Sequence, residues 1–233
     1  MTKPIYLLSD SQILFWKNKE EIFLNSIRRC IKHNKKNKFS ASYIGISNNN
    51  NIEYFEIFIS AMSQIDIHNC RMIPIKPTDR DIEYLNNSDI ILLAGGDFEK
   101  GLNKMKENNL IKKIIEKYYD GVVLIGISAG AVQLGLKGWR IDDNNLYFLI
   151  DAFGLVPYVI DVHDEENDWK RLSSAVNDIG KNSKGFGIPF GGGAIIHPDW
   201  SIEVIRNSLT EISYLNNEIK RSILLPLETI SND

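Results

Sequence analysis

A chain of 233 residues with 43% hydrophobic and 24% charged side chains is large and apolar enough to bury a sizeable α/β core. Its net charge of −3 excludes the dominant basic field that phosphate binding requires, so nucleic acid is not an expected partner. No apolar run approaches the ~20 residues that span a bilayer, and Cys30 and Cys70 lack metal-type spacing, so free thiols in a reducing compartment are expected.

The N-terminus MTKPIYLLSD runs straight into a strand pattern, without the long apolar segment of a leader, and a cytoplasmic location is expected. Ile5-Tyr6-Leu7-Leu8 is the first strand, and a long helical pattern follows through Phe15, Ile22, Phe23 and Ile27. The basic cluster from Arg28 to Lys38, which contains His33, reads as that helix's solvated end and loop. Tyr43-Ile44-Gly45-Ile46-Ser47 is a second strand, 48–51 a loop, and Tyr54, Ile57, Phe58 and Met62 mark a helix. Strands follow at 71–75 and 90–94, with a short helix around 82–85 between them. After Gly95-Gly96 one helix is expected to carry Leu102, Met105, Leu110, Ile111, Ile114 and Ile115. Residues 122–127 are apolar throughout and therefore central, because a strand covered on both faces has no polar side.

Beyond 151 the pattern changes. Residues 158–162 read as a strand, 167–177 as a helix, and 185–188, 194–196, 202–205 and 212–215 as short strands, expected to be antiparallel. The fold class is α/β: a mostly parallel sheet flanked by helices, with a C-terminal antiparallel extension. No linker or internal repeat divides the chain, so 1–233 is expected to be a single domain.

The central strand ends in Gly126-Ile127-Ser128-Ala129-Gly130, a G-x-S-x-G pattern. In that pattern the serine sits on a sharp strand-to-helix turn and its hydroxyl projects above the carboxyl end of the sheet. The Ala129 N–H, opening the next helix, is placed to meet a developing oxyanion. The plainer alternative makes Ser128 the N-cap of that helix. A nucleophilic serine needs a base, and among four histidines His163 follows a strand at the correct end. His197 is a second candidate, while His68 precedes an edge strand. A carboxylate should orient the imidazole: Asp142 or Asp143 gives the order Ser…Asp…His, and Asp161, two residues before His163, is a further candidate. Leu93-Ala94-Gly95-Gly96-Asp97 ends the neighbouring strand, where a glycine N–H can complete the oxyanion hole, or the aspartate can simply cap a helix. Gly191-Gly192-Gly193 lacks the Lys-Ser/Thr of a phosphate loop and reads as a flexible hairpin.

His163 opens the run HDEENDWKRL. The acids have no zinc-type spacing and suit the first turn of a helix, so no metal or other cofactor is expected. Arg171 is either a surface charge or a clamp for a substrate carboxylate.

Taken in order, YLLSD, LLAGGD, GISAGA, DAFGLVP and the Asp161-Val162-His163 step resemble the serine peptidases that include dipeptidase E (aspartyl dipeptidase) and cyanophycinase. The resemblance covers most of the chain. It implies a class I glutamine-amidotransferase-like, flavodoxin-like three-layer fold, with Ser128 as nucleophile and His163 as base. It also implies Asp143, fifteen residues past the serine, as the acid. Gly96 and Ala129 would form the oxyanion hole, and Asp97 and Arg171 would bind substrate. Amidotransferases themselves carry cysteine at the elbow, so serine favours peptide hydrolysis. Relatives have Phe and then arginines after the histidine, whereas Asp164-Glu165-Glu166 here should form an acidic rim that favours basic or neutral side chains. The expected partner is a short peptide, with a homodimer compatible with the sequence. The other readings are a non-catalytic, regulatory ligand-binding relative and an esterase that uses His197.

Overall fold

Two sheets, built from the alternation just described, meet beside Ser128 in the computed structural model, which describes residues 1–18, 21–31, 38–141 and 147–227. The elements run β1 (Ile5–Leu8), β2 (Lys17–Asn18), β3 (Glu21–Ile22), α1 (Leu24–Ile31), β4 (Ser40–Ile44), α2 (Ile52–Ser63) and β5 (Asn69–Met72). Then come α3 (Asp79–Asn87), β6 (Ile90–Leu93), α4 (Phe98–Glu107), α5 (Leu110–Tyr119), β7 (Val123–Ile127), α6 (Ala129–Leu134), β8 (Lys137–Ile141) and β9 (Tyr147–Asp151). The chain closes with β10 (Val159–Val162), α7 (Lys170–Ile179), β11 (Lys184–Ile188), β12 (Gly193–Ile196), β13 (Ile202–Ile205), β14 (Leu209–Leu215) and β15 (Glu218–Leu224).

The main sheet has the order β13-β12-β1-β7-β6-β4-β5. Its five strands from β1 to β5 are parallel, while β12 runs antiparallel to both β1 and β13. Side-chain alternation divides its core into two layers. Tyr6, Leu8, Val123, Ile125 and Ile127 pack with Ile27 of α1 and Phe58 and Met62 of α2. Ile5, Leu7, Leu124 and Leu93 pack on the opposite face with Met105, Leu110 and Ile114, and with Ile160 and Phe186 of the second sheet. Each such buried aliphatic side chain contributes about 1.5–3 kcal/mol. The second sheet, β10-β11-β14-β15, pairs β10 and β11 in parallel and the rest antiparallel. Among the described residues no helix is long and apolar enough to cross a membrane.

Several expected elements differ. The long first helix is a 3₁₀ turn (Ser11–Phe15), the β2–β3 hairpin and the shorter α1. Asp10 accepts the Gln12 N–H at 2.9 Å and starts the turn, while extended backbone at Trp16 ends it. The basic cluster falls largely in 32–37, outside the described residues; Arg28 pairs with Asp66 and Arg29 with Glu21. The single helix expected after Gly96 is two, because Asn109 takes a left-handed conformation at φ 55°. The helix expected from 167 begins at Lys170, after left-handed Asp168 and Trp169. β11 is parallel to β10 rather than antiparallel, and the glycine run 191–193 crosses between the two sheets rather than closing a hairpin.

Candidate active site

The carboxyl end of β7 is where the chain turns most sharply. Ser128 has φ 51° and ψ −115°, a conformation that costs a non-glycine residue about 1–3 kcal/mol and persists only where its surroundings impose it. They do so from two sides. The Ser128 N–H donates to Leu8 O of β1 at 2.8 Å, and α6 begins at once, with Ala131 and Val132 N–H groups closing on Ser128 O. The glycines permit the fit: a Cβ on Gly130 would lie 2.1 Å from Leu93 O, and one on Gly126 2.6 Å from Gly130 O. The Ser128 side chain makes no capping bond, so its hydroxyl is not employed as an N-cap.

His163 follows β10 and also has positive φ, 58°. Its N–H donates to Ile188 O at 3.3 Å, and Nε2 lies 2.9 Å from Ser9 O at the exit of β1. A carbonyl only accepts, so Nε2 carries the hydrogen and Nδ1 the lone pair. Ser9 is held in turn by the glycine crossover: its N–H and Oγ both donate to Gly192 O, and Gly191 N–H donates to Asp10 Oδ2. The role of Ser9 was not visible in the sequence; the only signal was its place, directly after the first strand, at the end where parallel sheets bind ligands.

Ser128, His163 and Gly96 line both of two adjoining cavities. The first, about 310 Å³, opens between the carboxyl ends of β4 and β6. Connections from these two strands leave in opposite directions, to β5 and to β7, which makes this the topological switch point. The second, about 300 Å³, is walled by Ala129, Trp139, Asp161 and Arg171. Gly96 has φ 135°, and a Cβ there would lie 2.3 Å from Ser47 O, so only glycine can pass.

The remaining candidates separate. Asp161 is 1% exposed, and its Oδ1 accepts from Arg171 Nη2 at 2.8 Å. Burial pushes its carboxyl up to about 6, against the pull of Arg171 and with some help from Asp164. Buried Asp164 approaches Arg171 Nε at 3.6 Å. Two buried carboxylates already match the guanidinium, so the clamp expected at Arg171 has its charge taken up within the protein. Of the expected acidic rim, Asp164 thus faces Arg171 and Glu165 accepts the Phe190 N–H. Asp97 caps α4 through the Lys100 N–H at 2.9 Å and is exposed. Asp142 and Asp143 lie outside the described residues. His197 follows Ile196, which pairs with Ile5 at the start of β1, so it stands at the end of the sheet away from Ser128 and pairs with Glu203. That position removes the esterase reading.

A model of peptidase family S51 matches residues 5–197. The fold is similar to a peptidase from an acI-B1 Actinobacterium (TM-score 0.68, 16% identity, 98% of this chain and 96% of that one). It is also similar to a putative peptidase E protein from Listeria monocytogenes EGD-e (TM-score 0.64, 19% identity, 89% of this chain and 100% of that one). A stretch of 97 residues is 35% identical to imidazole glycerol phosphate synthase subunit HisH of Lactococcus lactis subsp. lactis (strain IL1403). That stretch is 41% of this chain and about half of the relative, 48%. The family match takes in both sheets through β12, the elbow and the strand before His163, and on it the chain belongs to peptidase family S51 and is a serine-type peptidase.

Proposed function

We propose that the protein hydrolyses short peptides, with Ser128 as nucleophile, His163 as base and Asp143 as the carboxylate that offsets the imidazolium charge. The observation that carries this is Ser128 itself: a strained serine, not capping its helix, that shares two cavities with His163. The Ser128 hydroxyl attacks the scissile carbonyl, and its proton passes to Nδ1 of His163, the nitrogen left with a lone pair. The Gly96 and Ala129 N–H groups receive the oxyanion. His163 then returns the proton to the leaving amine, and water hydrolyses the acyl-enzyme by the same route. Arg171 holds the His163 segment through Asp161 and Asp164, and Asp97 serves chiefly as the α4 cap.

A peptide-library assay tests this. Ser128→Ala and His163→Ala should each lower turnover by at least about 10³-fold while circular dichroism is unchanged. A fluorophosphonate should label wild type at Ser128. Absence of an adduct, or activity retained in Ser128→Ala, would instead support a non-catalytic ligand-binding protein.

A further inference from the structure

The two cavities beside Ser128 differ in character, and the difference bears on what the enzyme cuts. The second contains the Asp161–Arg171 ion pair. The first is walled by Leu14 of the 3₁₀ turn, Tyr43 of β4, Ile57 and Phe58 of α2, and Ala94 at the exit of β6, with Ser128 on its rim. Leu14, Tyr43, Phe58 and Ala94 are all buried. Two aromatic rings stand exposed at its edge, Tyr54 at 50% and Phe190 at 56%. Solvent-exposed aromatics around an apolar hollow are the surface a ligand covers.

Two polar side chains of this cavity, Asp10 and Asn48, already have partners. Asp10 accepts from Gln12 N and Gly191 N. Asn48 donates to Gly95 O and Tyr43 Oη and accepts from Asn51 N. An acidic side chain entering would lose its hydration and meet the carboxylate of Asp10. An apolar side chain loses nothing and is removed from water. A volume of about 310 Å³ stands at the lower end of small-molecule sites, about 300–1,000 Å³, a size for one large side chain.

We infer that this cavity is a specificity subsite for a large apolar side chain, aromatic or branched aliphatic, on one of the two residues flanking the scissile bond. The inference rests on Ser128 as the nucleophile. The substrates are then short peptides with Phe, Leu or a similar residue at the cleavage point, and acidic side chains are disfavoured there.

The test compares kcat/KM for two dipeptide series, Xaa-Ala and Ala-Xaa, with Phe, Leu, Ala, Asp or Lys at Xaa. In one series Phe and Leu should exceed Ala by about 10- to 100-fold, with Asp below Ala. Ile57→Trp, which fills the cavity from half-buried α2, should collapse the Phe/Ala ratio toward one. If tryptophan unfolds the protein, Tyr54→Ala at the exposed mouth should lower the same ratio several-fold. Equal kcat/KM for Phe and Ala in both series, or a ratio unmoved in the folded variant, would overturn the inference. If no dipeptide is hydrolysed, the peptidase assignment of Ser128 fails instead. Calorimetric binding of the same dipeptides to Ser128→Ala then decides the subsite alone: tighter Phe and Leu peptides sustain it, and no apolar preference overturns it.

Discussion

His163 Nε2 meets the carbonyl oxygen of Ser9 at 2.9 Å, joining the residue that follows β10 to the exit of β1. The contact ties the second sheet to the main one at the edge of the reactive site. It also sets the imidazole tautomer by a main-chain acceptor, which no side-chain substitution can remove directly. Nitrogen-15 NMR of the neutral ring should therefore show hydrogen on Nε2 and a lone pair on Nδ1. The reverse tautomer in the resting enzyme would mean that Nδ1 is not the acceptor for the Ser128 proton.

Three carboxylates compete for the role of acid, and substitution separates them. Asp143→Asn should lower kcat by about 10²-fold, the scale of losing one electrostatic contact in the transition state, while Asp142→Asn changes it only a few-fold. Asp161→Asn should act mainly through stability. A larger kcat loss in Asp161→Asn than in Asp143→Asn would reassign the acid to β10.

Gly130→Ala sets two effects against each other. Alanine inside a helix gains about 1 kcal/mol over glycine. Its Cβ would, however, lie 2.1 Å from the main-chain oxygen of Leu93, and overpacking of this kind costs about 1–3 kcal/mol or more. Backbone cannot rotate away as a side chain can, so the collision wins. Urea unfolding should show a net loss of about 1–2 kcal/mol, with activity reduced as α6 shifts beneath Ser128. Unchanged stability would show that α6 has room to move.

Stability should depend on pH through Asp161. Its carboxyl rises from 3.8 to about 6 on folding. The folded state therefore binds its proton more tightly than the unfolded chain. This contribution is fully present below pH 3.8 and is lost as pH rises through 6, by about 3 kcal/mol in all. Between pH 4 and 7 wild type should lose stability relative to Asp161→Asn, measured by urea unfolding at each pH. Parallel curves for the two proteins would place the titration elsewhere.

The helices and strands that the sequence disclosed are those whose periodicity coincides with burial. β1, β6 and β7 are apolar at every position because they are covered on both faces. β15 went unread because its residues are almost all exposed, leaving no apolar face to mark it. Asn216 and Asn217, both at positive φ, did offer a turn signal before it. The first helix was overextended because Asp10 closes a local turn that periodicity does not register.

At the site the same division holds. The elbow glycines, Ser128 after a central strand, and His163 after a later one are local or ordered features, and local sterics make them legible in one dimension. The sequence by itself thus determined the α/β class, the elbow and the identity of its nucleophile candidate. Only the tertiary structure decided that His197 stands at the far end, that Arg171 is matched by Asp161 and Asp164, and that Ser9 holds the imidazole. Those outcomes depend on strand direction and on contacts between residues up to 154 positions apart. Hydrogen bonding and charge pairing act over a few ångströms of space, whatever the separation along the chain.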